Sequence, residues 1–122
     1  MRTKTDLWVK AYIRQRQVAG AFAAVVHHGD DEAGAVLIKI SQLNGQAALY
    51  GPAPIGFATG PRPDAERRFA RLHAPDTLTE AEADQLAAQQ RVYDSDLWLI
   101  EVEDRSGATG LEDWLATPAN DR

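Results

Sequence analysis

Two carboxylates, Glu101 and Glu103, stand two residues apart in the run Asp96–Asp104 of this 122-residue chain. In an extended strand, residues i and i+2 share a face about 7 Å apart. Paired carboxylates can divide general-acid and general-base work when their surroundings separate their pKa values. Lys39, in a second strand-like run, is a cation that could pair with either acid if both strands join one sheet. Alternating charges are also the ordinary way one face of an antiparallel sheet meets water. That plainer reading outweighs catalysis, so no catalytic residue is assigned and Glu101, Glu103 and Lys39 stand as weak candidates.

Other chemistry is poorly supplied. His27 and His28 precede Asp30, Asp31 and Glu32, the densest group of potential metal ligands. Adjacent strand residues point to opposite faces, so the two imidazoles cannot easily share one ion. The acidic turn lacks the spacing and central glycine of a calcium-binding loop. No metal site is expected. Ser41, Ser95 and Ser106 lie in no nucleophile-elbow sequence. Neither a dinucleotide fingerprint nor a P-loop occurs, so no cofactor is expected. With no cysteine there is no thiolate nucleophile and no disulfide framework.

Charge is unevenly placed. Residues 1–20 carry five Lys or Arg against one acid, whereas residues 94–122 carry eight acids against two arginines, within a net charge of −5. Lys10 and Arg14, with Arg2 and Lys4, form a basic helix face, and Arg67, Arg68 and Arg71 form a second patch. An acidic chain with pI near 5.1 is a poor general binder of nucleic acid. A protein partner, or a second copy, suits the polarity better. Ile55 and Phe57, in a proline-rich stretch, are the apolar anchors expected to join Lys10 and Arg14 in that contact. The longest uncharged apolar run, Val18–Val26, is too short to span a membrane. Charges interrupt the first sixteen residues, leaving no apolar core for a secretory signal, and the expected location is cytoplasmic.

The elements that must position these residues follow from periodicity. Trp8, Val9, Tyr12 and Ile13 make one apolar stripe, which predicts a helix over 6–19 with Thr5 or Asp6 as N-cap and Gly20 as its left-handed end. Ala21–His28, Ala35–Leu43 and Gln46–Gly51 read as a three-stranded antiparallel meander. Asn44-Gly45 is its two-residue turn, pairing Ile40 with Leu49 and Lys39 with Tyr50. Residues 51–63 hold four of the six prolines and read as a surface connection. Glu66–His73 reads weakly as a strand. Thr79 and Glu82 form a capping box, with Leu78 and Ala83 as a staple, opening a helix over 79–92. Asp96–Asp104 is a strand. Thr109 and Glu112 suggest another capping box before a short helix at Leu111–Leu115, and the last few residues are expected to fray. Trp8, Trp98 and Trp114 read as core anchors.

Four blocks in order carry a resemblance: Leu7-Trp8-Val9-Lys10-Ala11-Tyr12-Ile13-Arg14; Gly29-Asp30-Asp31-Glu32-Ala33-Gly34 running into Leu37-Ile38-Lys39; Ala48-Leu49-Tyr50-Gly51-Pro52; and Asp96–Arg105. Together they resemble a family of small bacterial proteins known as domain of unknown function 1491, over about Leu7 to Gly107. The resemblance implies one domain and a cytoplasmic bacterial origin, and nothing chemical.

The resulting expectation is a single domain over 1–122, with 108–122 a short helix and tail. Its fold is α+β: an antiparallel sheet of four or five strands with two main helices packed on it. Its expected role is a non-catalytic protein-binding or regulatory module. The alternative is a small enzyme using Glu101, Glu103 and Lys39.

Overall fold

A computed structural model describes residues 3–53, 57–58, 67–115 and 117–118. In chain order the elements are α1 (Thr5–Val18), β1 (Phe22–His27), β2 (Val36–Ser41), β3 (Gln46–Pro52), β4 (Phe57–Ala58), β5 (Phe69–Arg71), β6 (Leu78–Thr79), α2 (Glu80–Tyr93), β7 (Trp98–Glu103) and β8 (Thr117–Pro118), with a 3₁₀ turn at Glu112–Trp114. The fold is α+β, with two main helices and a six-stranded mixed sheet rather than a purely antiparallel one of four or five. The extra strand is β6, two residues that pair with β3 beside β5 and are too short to stand out in a sequence. A separate two-stranded ribbon joins β4 to β8.

The meander is corrected as well. β1 does not touch β2 as a neighbour: β7 lies between them, antiparallel to β1 and parallel to β2. All six residues of β2 are buried, as befits a central strand covered on both faces. The hairpin register also differs by one. Lys39 faces Leu49 and Ile40 faces Ala48, because the loop has three residues, Leu43–Gly45. The amide of Gln42 closes it on the Gln46 carbonyl at 2.9 Å. Gly45 takes the expected positive φ of 90°, and Leu43 shares that region at 63°. Side chains stabilise this wider loop: Ser41 Oγ accepts from the Leu43 amide, and Asn44 Oδ1 from the Gln46 amide.

Alternation along the strands sorts the core into two layers. Val36, Ile38, Ile40, Ile100 and Val102 meet Trp8, Val9 and Tyr12 of α1. Leu37, Leu49, Leu97 and Leu99 meet Ala87 of α2 on the opposite face. Trp8 stacks on Tyr12 and Phe69, each with ring centroids 5.3 Å apart, and takes the edge of Trp114 at 5.4 Å. Trp8 and Trp98 are buried and Trp114 packs against the core. The Tyr12 hydroxyl donates to the Thr109 carbonyl at 2.6 Å, tying α1 to the C-terminal segment.

The helix ends are set locally. α1 finishes in a Schellman motif: the amides of Gly20 and Ala21 reach the carbonyls of Gln17 and Arg16, with Gly20 at φ 95°. Its start needs no side-chain cap, contrary to expectation, because the amides of Thr5 and Asp6 donate to Glu32 and Asp31 carbonyls of the β1–β2 loop. The freed Thr5 hydroxyl donates to Gly34. α2 has the predicted reciprocal capping box between Thr79 and Glu82. The one expected at Thr109 and Glu112 is absent: Thr109 Oγ1 accepts from the Leu111 amide instead, and a single 3₁₀ turn follows. The expected fraying of the last residues concerns 119–122, outside the described residues.

Candidate functional site

The parallel β2–β7 register pairs Lys39 with Glu101 and Ser41 with Glu103 on the α2 face of the sheet. Glu80 and Asp84, one turn apart at the start of α2, come down onto the same place. Lys39 Nζ lies 2.8 Å from Glu80 Oε1, 2.8 Å from Asp84 Oδ1 and 3.8 Å from Glu101 Oε2. The Ser41 hydroxyl donates to the other Glu80 oxygen. Burial disfavours the Lys39 ammonium, but the hydrogen bonds it donates to Asp84 and Glu80 and the charge of Glu101 outweigh it and raise its pKa. Glu80 is held below the usual carboxylate range by the hydrogen bonds of Lys39 and Ser41. Glu101 moves the other way, because burial outweighs the attraction of Lys39 and the neighbouring Glu80 and Glu103 add repulsion.

The two 2.8 Å contacts limit what Lys39 can do. A lysine held as ammonium by two short hydrogen bonds is no nucleophile or Schiff-base former, which needs a lowered pKa. Lys39, 7% exposed, acts as a clamp joining α2 to the sheet. Glu101 lies beyond hydrogen-bond distance from it and carries charge that Lys39 neutralises least.

Toward β1 this face opens. α2 packs over β2, β3 and β6. On the far side Glu101, Glu103 and Ala24 are half-buried, while Phe22 is 58% exposed. Among the described residues β1 pairs with β7 alone, so one whole side of its backbone is an open sheet edge. The strand, Phe-Ala-Ala-Val-Val-His, has no charge and no proline, and Val25 and Val26 are 41% and 56% exposed. Natural edges are usually blunted by such charges or prolines. The blunting device present is a bulge between Val25 and His27. At the opposite side, β5 is short and His73 closes the gap between β5 and β6, its Nε2 accepting the Leu49 amide at 3.0 Å.

The other predicted residues lie apart. Lys10 and Arg14 are exposed on α1, across the sheet from Lys39. Ile55 lies outside the described residues, and of Phe57 the structure describes the backbone pairing with Pro118. His27 Nδ1 contacts the Leu97 carbonyl, whereas His28 meets Asp31 and lies over Trp98. Among the described residues no three acidic or imidazole groups are arranged to hold a metal ion. No described helix is long and apolar enough to cross a membrane. Sequence reasoning missed Glu80 and Asp84, and weighed Ser41 as a nucleophile rather than as a partner of Glu80. The i, i+4 acids beside the buried Ala83–Ala87 stripe were the available signal, but their partner lies more than forty residues away.

Comparison with known proteins adds a family and no chemistry. Residues 3–112 match the family described as protein of unknown function, DUF1491. The chain is similar to a DUF1491 family protein from Caulobacter crescentus CB15, at 33% identity and a TM-score of 0.75, covering 94% of this chain and 98% of that one. It is also similar to protein Atu0922 from A. tumefaciens, at 36% identity and a TM-score of 0.73, covering 100% and 98%. No curated protein matches.

Proposed function

The chain belongs to the DUF1491 family, and from its geometry we propose that it is a non-catalytic binding module that holds another protein along the β1 edge. The observation that carries this reading is the edge itself: an uncharged strand at one border of the sheet, with Phe22, Val25 and Val26 exposed and no described strand paired to its outer side. Edge-strand addition uses main-chain hydrogen bonds for affinity and alternate side chains for selectivity. The basic stripe of Lys10 and Arg14 on α1 offers long-range steering toward an acidic surface of the partner, an effect that weakens with salt. Ile55 and Phe57 are proposed, from their residue types, as a second apolar contact with the same partner. The setting is taken to be cytoplasmic, in keeping with a cysteine-free chain.

Affinity capture at low and high salt tests this reading. Wild-type protein should retain a specific protein partner at low salt. Val26→Lys, which installs a common edge-blocking residue, should lose it while the fold melts normally. Lys10→Glu with Arg14→Glu should weaken capture at low salt most, and Phe57→Ala should weaken it at both. If none of these variants changes what is captured, the reading is wrong.

A second reading rests on Glu101, a half-buried carboxyl 3.8 Å from Lys39 whose pKa burial raises, a setting suited to general acid–base work. Turnover of a small molecule by the purified protein, abolished in Glu101→Gln, would establish it in place of the first.

A further inference from the structure

We infer that the β1 edge takes an extended peptide segment carrying an arginine or lysine, whose cationic head crosses Ala24 to reach Glu101. The inference rests on the edge reading above and names what the edge selects.

The register supplies the argument. On the α2 face, β1 presents Phe22 opposite Glu103 and Ala24 opposite Glu101. A strand added outside β1 would lie two strand spacings, about 10 Å, from β7. Over Phe22 a bulky ring stands between the new strand and the acids. Over Ala24 only a methyl group intervenes, so a long side chain opposite Ala24 has a low path inward. Lysine and arginine have that reach, with an aliphatic stem to lie on Ala24 and a charged tip beyond it.

Charge selects the same side chain. Three carboxylates, Glu80, Asp84 and Glu101, lie within 3.8 Å of the Lys39 ammonium, and Glu103 follows Glu101 on the same face of β7. Lys39 gives its short contacts to Glu80 and Asp84 and stands 3.8 Å from Glu101. Of these three Glu101 has the longest contact to Lys39, and unlike Glu103 it lies behind Ala24 rather than Phe22, so it is the carboxylate placed to meet a second cation. An acidic or neutral segment would find repulsion or no partner there. A second copy of the chain fits less well, because Phe22–His27 contains no lysine or arginine to set over Ala24. On the α1 side of the edge, Val25 offers apolar surface to the alternate residues of the same segment, so the expected pattern is a β-branched residue on either side of the basic one.

The probe is a blocked seven-residue peptide, Val-Thr-Val-Arg-Val-Thr-Val, beside versions with glutamate or norleucine at the centre. Backbone-amide NMR of the full chain should show the arginine peptide shifting Phe22–His27 resonances. It should bind about tenfold more tightly than the norleucine version, the gain of one well-placed charge pair, and the glutamate version more weakly still. Glu101→Gln should erase the arginine preference while retaining binding, and Ala24→Leu should block the arginine peptide more than the norleucine one. Because Ala24→Leu perturbs packing, Glu101→Gln and the peptide series carry the test on their own. Equal binding of the three peptides overturns the charge selection and leaves the edge reading intact. Binding away from β1, no binding by any peptide, or self-association through β1 that excludes the peptide overturns the inference. The edge reading itself stands or falls separately, on whether Val26→Lys changes capture of a protein partner.

Discussion

Lys39 shows how one side chain settles between chemistry and architecture. Its spacing from Glu101 and Glu103 could not be judged from sequence, because which strands are neighbours was unknown. The parallel β2–β7 pairing brings Lys39 beside Glu101, and α2 then delivers Glu80 and Asp84 to the ammonium. Removing the amine should leave acids clustered without their cation, so Lys39→Ala should cost about 2–3 kcal/mol of unfolding free energy. Lys39→Met keeps the stem packed and should cost clearly less, measurable by denaturant titration. Acid sensitivity follows from the opposite shifts. Glu80 has a folded-state pKa below its ordinary 4.5, so its contribution is complete above 4.5 and lost as pH falls through the folded value. The stability gap between wild type and Glu80→Gln should therefore close on acidification. Glu101 is raised, so its ionisation opposes folding as pH climbs from 4.5 through its folded value. Glu101→Gln should accordingly gain on wild type over that interval. A gap that does not move with pH in either variant would contradict these assignments.

At the scale of elements, local signals were legible and long-range neighbours were not. The capping box of α2, the left-handed Gly20, the strand at 96–104 and the short strand inside 66–73 all depend on residues close in sequence. The place of β7 does not: nothing local says that the last long strand enters between β1 and β2. The hairpin error has a local cause. Asn44-Gly45 is a strong two-residue turn signal, yet Leu43 adopts positive φ, which leucine rarely does. Gly45→Val should lose about 1–3 kcal/mol, since a β-branched residue is strained at φ 90°. Leu43, 45% exposed, contributes little packing. Leu43→Gly should therefore be neutral or stabilising by up to about 1 kcal/mol. Thermal melts of the two variants moving in the same direction would refute the three-residue loop. Gly29 is a different case: a Cβ there would press on the backbone of Asp96 and Leu97 and on Trp98 at 2.6 Å. That close approach explains a glycine whose role the sequence did not reveal.

For the whole molecule, the two faces of the sheet carry different burdens. The α1 face is closed by aromatic packing around Trp8, and half of the other face is closed by α2 through the Lys39 clamp. Among the described residues the strip along β1 and β7 stays open, apolar at its rim and acidic inside. The charge polarity of the sequence leads to the proposal of a protein contact through Lys10, Arg14, Ile55 and Phe57. The β1 edge was hidden because edge position is a property of topology, and Ala21–His28 alone reads the same in the middle of a sheet as at its border. Hydrogen exchange on the protein alone and saturated with its captured partner tests the central claim most directly. Slowed exchange concentrated in amides of Phe22–His27 is the result predicted. A stable complex that leaves β1 exchange unchanged and protects another surface would contradict it.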